Sequence, residues 1–171
     1  MNIFATDWCP SLSAHALDDG RCVKMILESA QMLGTIFNEA GVHHPYRLTG
    51  GHANHPCTHW VRESYGNAEW LFAHMNALAN EYERRYDRVH ASHRMTLKAF
   101  DEFTRVTTQR RAMTAPVNAA RRRDMNLDFT MYPTHEAYRR YLIARWELSA
   151  PRFRLPCFLP WVRSAIGDHR A

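Results

Sequence analysis

The sequence predicts an all-α fold, a compact helical bundle around one long central helix, with an irregular basic connection and tail. Three observations lead there. Apolar residues recur every three or four positions in two long stretches, no run shows convincing strand alternation, and a stretch rich in Gly, His and Pro separates the two. The chain has 171 residues and 46% hydrophobic side chains. That is the size of one ordinary domain, able to build a core without metal or disulfide staples, and residues 1–171 are expected to form it.

The first helical period runs over residues 23–37, where Val23, Ile26, Leu27, Ala30, Leu33, Gly34 and Phe37 form a stripe expected to face the core. Opposite it run Arg21, Lys24, Glu28, Gln31 and Thr35, a polar face with two cations, a carboxylate and an amide. Gly41 is the expected stop. Residues 42–57 carry glycines and prolines that argue against a helix or central strand there. Thr58 is a candidate cap for the next helix, whose seam Val61, Ser64, Ala68, Leu71, Met75, Leu78, Tyr82 and Tyr86 continues for about seven turns. Gly66 is its weak point. Residues 95–106 read as a shorter helix and 107–133 as a basic, mostly irregular connection holding Pro116 and Pro133. Thr134 is a candidate cap for a last helix, HEAYRRYLIARWEL, followed by the Pro- and aromatic-rich tail PRFRLPCFLPWVR.

Charge is distributed unevenly. Residues 1–83 hold 4 basic and 9 acidic side chains, a net −5, whereas residues 84–171 hold 18 basic and 8 acidic, a net +10. The basic half is nearly all arginine, whose planar fork suits phosphate oxygens, and clusters such as Arg121, Arg122 and Arg123 resemble a nucleic-acid footprint. Charge alone fits a solubilising surface as well. The tail aromatics Tyr132, Tyr138, Tyr141, Trp146, Phe153, Phe158 and Trp161 interleave with Arg139, Arg140, Arg145, Arg152, Arg154 and Arg163, a mixture that can stack on bases or pack inward.

Several classes are excluded or disfavoured. No stretch approaches the roughly 18 apolar residues of a spanning helix, and MNIFATDWCP lacks a signal-peptide layout, so no membrane partner and a cytoplasmic location are expected. The cysteines Cys9, Cys22, Cys57 and Cys157 are scattered without a CxxC pair, which fits reduced thiols. His43, His44, His52, His55, Cys57 and His59 match no standard zinc spacing, so no metal is expected. No Gly-rich phosphate loop occurs, and no cofactor is expected.

Glu28 is the most suggestive single residue, one helical turn beyond Lys24 and three residues before Gln31, with Arg21 two turns back. A carboxylate among donors can manage protons. Such a pair is also the ordinary content of a solvated helix face. Lysines are scarce: only Lys24 and Lys98 stand beside 20 arginines, so an imine-forming mechanism has three candidate amines, those two and the Met1 α-amine.

The run Leu17-Asp18-Asp19-Gly20-Arg21-Cys22-Val23-Lys24, continuing through Glu28 and Gln31 to Leu33, resembles the LDD-x-R-x-x-K-x-x-x-E-x-x-Q-x-L signature of the pyrimidine-dimer DNA glycosylase-like family. Asn54-His55-Pro56-Cys57, then Trp60 and Arg62, resemble that family's N-H-P…W-x-R segment ahead of a long helix. The resemblance covers roughly residues 12–90; residues 12–94 are the family-like core and 95–171 the basic, aromatic-rich part. More distantly, both segments are similar to phage endonuclease V, a compact all-helical glycosylase and abasic-site lyase. The resemblance implies a DNA partner, a nucleotide flipped out of the duplex, an N-terminal amine attacking sugar C1′, and a glutamate, Glu28 by position, assisting. Arg21 and His55 fall where that enzyme has histidines, Leu27 and Gln31 where it has arginines, and Asn2 where it exposes a small residue.

The expected activity is therefore a DNA glycosylase and abasic-site lyase acting on a flipped pyrimidine nucleotide. Lys24 or Met1 would be nucleophile, Glu28 the proton-managing group, and Arg21, Gln31, Asn54, His55, Trp60, Arg62 and Arg121–Arg123 the substrate and DNA contacts. The alternatives are a phage-type transferase that modifies thymine or hydroxymethylpyrimidine in DNA on the same scaffold, and a non-catalytic nucleic-acid-binding protein.

Overall fold

The computed structural model describes residues 1–167 of the chain. Its regular structure is helical apart from one small antiparallel pair, as the periodicities predict. The elements are α1 (Pro10–His15), α2 (Asp19–Glu39), α3 (Gly50–Ala53), α4 (Pro56–Glu63), α5 (Tyr65–Tyr86), α6 (Ala91–Val106), β1 (Arg121–Arg122), β2 (Leu127–Asp128), α7 (Thr134–Leu148) and α8 (Pro160–Ile166). A 3-10 turn, Arg123–Met125, joins the two strands, which pair Arg121 with Asp128 and Arg122 with Leu127. One hydrophobic core extends from Ile3 to Val162, with α2 and α5 at its centre. No helix among the described residues is long and apolar enough to cross a membrane.

Helix α2 begins where Asp18 caps it, its carboxylate accepting from the Arg21 amide at 3.1 Å. It ends at Glu39, and Gly41 turns the chain with φ +83°. The expected apolar stripe is rotated in place. Ile26, Ala30, Leu33, Gly34 and Phe37 are buried, but Val23 is only half-buried and Leu27 is exposed. On the expected polar face Glu28 is buried where residues 1–5 and the 107–133 connection fold against that side, and Thr35 is buried under the 42–48 segment, its hydroxyl accepting from the Leu48 amide at 2.9 Å.

The seam over 61–86 is divided into two helices. Ser64, with φ −150° and ψ 154°, ends α4 and caps α5, its hydroxyl accepting from the Asn67 amide at 3.1 Å. The cap of α4 is His55, whose Nδ1 accepts from the Cys57 amide at 3.2 Å, with Pro56 in the first turn. Thr58 is buried inside that helix, donating to the carbonyl of His52 at 3.0 Å. Thr134 likewise lies inside α7 rather than capping it, and its hydroxyl donates to the carbonyl of Pro116. The short helices α1, α3 and α8 fall in stretches too brief or too rich in Gly and Pro to show a period.

The connection 107–133 has little regular structure and is nonetheless pinned along its length. Gly66, in the first turn of α5, donates its amide to Arg111 at 3.0 Å, and a Cβ there would lie 2.3 Å from the amide nitrogen of Met113. Asn67 accepts from the Thr114 amide at 2.8 Å, and the buried Tyr138 hydroxyl donates to Val117 and accepts from the Ala119 amide. Gly66→Ala is expected to push this segment off α5 and to cost about 1–3 kcal/mol in a urea unfolding experiment.

His74 is fully buried on α5, stacked on Trp70 at 5.2 Å, and neither ring nitrogen has a hydrogen-bond partner. Burial drives its imidazole down to about 3 from an ordinary 6.5. The unfolded chain therefore takes up a proton below about pH 6.5 that the folded chain refuses, and stability present at neutral pH is lost as pH falls. At pH 5 this amounts to about 2 kcal/mol relative to pH 7. His74→Phe should shrink the difference in unfolding free energy between those two pH values by that amount.

Candidate active site

A cleft of about 960 Å³ opens where the chain start, α2, the head of α4, the connection and α7 meet. Helix α2 supplies Gly20, Arg21, Lys24, Met25 and Glu28, at helical spacing on one side. Met1, Asn2 and Phe4 form the floor, His55 and Pro56 one end, and Val117–Ala119, Arg121, Arg122, Thr130, Tyr141 and Arg145 the opposite wall.

Glu28 is the focus of the floor. The backbone amide of Asn2 donates to its Oε2 at 2.9 Å, the Met1 α-amine stands 4.0 Å from the same oxygen, and Lys24 Nζ lies 3.4 Å from Oε1. The chain start is built rigidly for this. The Met1 side chain is only 4% exposed, and its sulfur packs 3.5 Å from the Thr58 hydroxyl oxygen. The Asn2 side chain accepts from the amides of Ile3 and Phe4, which holds Phe4 at φ 42°, a conformation side-chain-bearing residues seldom adopt. The Phe4 ring sits against Tyr138 and Tyr141, with the Arg21 guanidinium 5.8 Å over it. Lys24, by contrast, has 69% of its side chain in solvent.

His55 faces the same floor. Burial, and next the positive charge of the N-terminal amine, push its imidazole below the ordinary value. Because Nδ1 accepts from the Cys57 amide, the neutral ring carries its proton on Nε2 and can act as a donor. Beneath it the Cys57 thiol is raised to about 12 by burial, so it is no nucleophile at neutral pH. The four cysteines are all free thiols.

The rim is cationic. Arg21, Lys24, Arg121, Arg122 and Arg145 surround the cleft, against Asp18 and Glu28. Arg21 is held by Asp18, and Arg122 is paired with Asp124 at 2.9 Å. Arg145 lies beside the Met125 sulfur, and its buried Nε has no partner.

The structure thus brings together Met1, Arg21, Lys24, Glu28, His55, Arg121 and Arg122 and places the other expected residues elsewhere. Trp60 is core, 5% exposed and edge-on to Trp70 at 5.8 Å. Arg62 is held away from the cleft by Glu39 through two 2.8 Å hydrogen bonds. Gln31 is half-buried and Asn54 exposed, both outside the cleft wall, and Arg123 is exposed on the turn beyond it. Sequence reasoning passed over Asn2, Phe4 and Asn118, and named Tyr141 and Arg145 only within a general mixture. The four-residue spacing of those last two on α7 was the available signal. Among the described residues no three of His, Cys, Asp or Glu converge as a metal-holding group.

Residues 1–95, which include the α2 wall, the floor and His55, match the model of the family described as pyrimidine dimer DNA glycosylase. The chain belongs to that family. No curated protein and no solved structure matches it. Membership supports a pyrimidine dimer DNA glycosylase-type function at family level, which implies a DNA substrate. The opposite wall, from Val117 to Arg145, comes from outside the matched part. Because Glu28 also accepts the Asn2 amide, Glu28→Gln keeps the shape and hydrogen-bonding oxygen but removes the charge. Turnover on pyrimidine-dimer DNA should fall at least about 100-fold while duplex affinity stays within about twofold, read by a nicking assay beside a gel shift.

Proposed function

We propose that the protein is a DNA glycosylase and abasic-site lyase that works on a pyrimidine nucleotide turned out of duplex DNA into the cleft, with the Met1 α-amine as nucleophile and Glu28 as the proton-managing group. The observation that carries this reading is the convergence of the Met1 amine and the Asn2 amide on one Glu28 oxygen, at 4.0 and 2.9 Å. Met1 is favoured over Lys24 because its side chain is anchored in the core, so its amine is already oriented, whereas Lys24 would have to be ordered from solvent.

In this scheme the amine, its proton taken by the Glu28 carboxylate, attacks C1′. The bond from C1′ to the base breaks, and the base leaves with the bonding pair and takes up a proton. The proton the base takes up is the one Glu28 removed from the amine, while the neutral His55 ring offers its Nε2–H as a hydrogen bond to the departing base without giving it up. The Met1 nitrogen then forms the imine to C1′ as the C1′–O4′ bond opens, O4′ taking the second proton of the amine, and the Glu28 carboxylate accepts a C2′ proton as the 3′-phosphate departs with its bonding pair. Arg21, Lys24, Arg121, Arg122 and Arg145 hold the phosphates that flank the turned-out nucleotide. Such a set also makes affinity fall steeply with salt.

The test is borohydride trapping of the full chain on ultraviolet-irradiated duplex DNA, with peptide mapping of the adduct. The expected adduct maps to Met1, persists in Lys24→Ala and disappears in Glu28→Gln. An adduct on Lys24 reassigns the nucleophile. No adduct with an intact strand and added nucleoside mass would replace this reading with base modification, and binding without any product with a non-catalytic role.

A further inference from the structure

The most exposed large apolar side chain named among the described residues is Met131, at 84%. It occupies a corner of a tight turn closed by the Tyr132 amide donating to Phe129 at 3.1 Å. The turn is firmly held. The Asn118 side-chain amide donates to the carbonyls of Tyr132 at 2.9 Å and Thr130 at 3.3 Å, the Phe129 amide donates to Ala120, and Asp128 accepts from both the amide and hydroxyl of Thr130. Phe129 and Tyr132 turn inward against the core, and Arg140 lies 4.4 Å over the Tyr132 ring. Met131 alone points out, from a support that cannot collapse to bury it.

Its location gives the exposure meaning. Thr130, the preceding residue, lines the cleft, as do Arg121 and Arg122 on the adjoining strand. None of the other exposed large apolar side chains comes from this turn or hairpin, whose other exposed side chains, Arg121, Arg122, Arg123 and Asp128 among them, are charged or polar. A lone apolar projection among arginines matches duplex DNA, whose backbone is anionic and whose base faces are apolar.

We infer that Met131 is a wedge that enters the base stack beside the target nucleotide and fills the gap left when that nucleotide turns out into the cleft. This rests on the proposed-function reading, which requires such a gap. An unbranched thioether suits the task, since it adapts to an irregular slot and its sulfur packs well on aromatic faces. The neighbouring arginines keep the phosphates close while the side chain inserts. Met131 is a positioning residue and takes no part in bond making.

The experiment uses the full chain, a duplex carrying an uncleavable tetrahydrofuran abasic site flanked by 2-aminopurine, the matched intact duplex, and a single strand with a natural abasic site. Met131→Ala should bind the tetrahydrofuran duplex about tenfold more weakly and lose the 2-aminopurine fluorescence rise, as expected for removing one stacking contact. Affinity for the intact duplex and trapping on the single-stranded abasic site should not change, and Met131→Leu should restore both lost signals. Equal fluorescence and affinity for Met131→Ala and the parent would overturn the wedge alone. A loss in Met131→Ala that is equal on all three DNAs would also overturn it, in favour of a general binding defect. Failure of the parent to trap on the single-stranded abasic site or to disturb 2-aminopurine would overturn the glycosylase reading, and the wedge with it.

Discussion

Two adjacent carboxylates at the head of α2, Asp18 and Asp19, hold the cleft in register. Asp18 accepts from the Arg21 amide, from the Arg21 guanidinium and from the Trp146 indole at 2.9 Å, so a single side chain caps α2, orients a cleft arginine and ties in α7. Asp19 donates its amide to Arg152 at 2.8 Å and accepts from the Arg154 amide and from Arg85. Arg85 is itself buried, and is made tolerable there by Glu81, Asp19 and the Leu17 carbonyl. Helices α2, α5 and α7 and the tail therefore meet at this point. The angle at which α2 presents Lys24 and Glu28 to the opposite wall is set there.

That arrangement explains what the sequence showed and what it hid. The α2 period, its polar face and its stop at Gly41 are local, so spacing alone reveals them. Burial of Glu28 is not local: it follows from residues 1–5 and the connection folding back over the helix, which no periodicity of α2 encodes. The 61–86 seam read as one helix because its apolar spacing runs unbroken through Ser64. A serine hydroxyl that caps the next helix changes the backbone and leaves the pattern intact. Trp60 and Arg62 show the complementary error, because residues matched to a binding motif are used here to pack against Trp70 and to pair with Glu39.

The cleft has two origins. Its floor and α2 wall lie in the part of the chain that matches the family, while the wall of Asn118, Arg121, Tyr141 and Arg145 lies beyond it. The irregular connection supplies much of the second wall, and its order comes from side chains rather than a hydrogen-bonded ladder: Asn67, Asn118 and Tyr138 each hold several backbone groups. A segment fastened this way keeps a fixed shape without regular structure, and its sequence remains free to vary at the positions facing the cleft.

The anchored Met1 side chain has a practical consequence for anyone preparing this protein. Its thioether is packed inward against Thr58 while its amine stands 4.0 Å from Glu28, so a preceding residue would continue from the cleft floor. A purification tag joined ahead of Met1 would start from the cleft floor and would convert the amine to an amide. Tags belong at the other end of the chain.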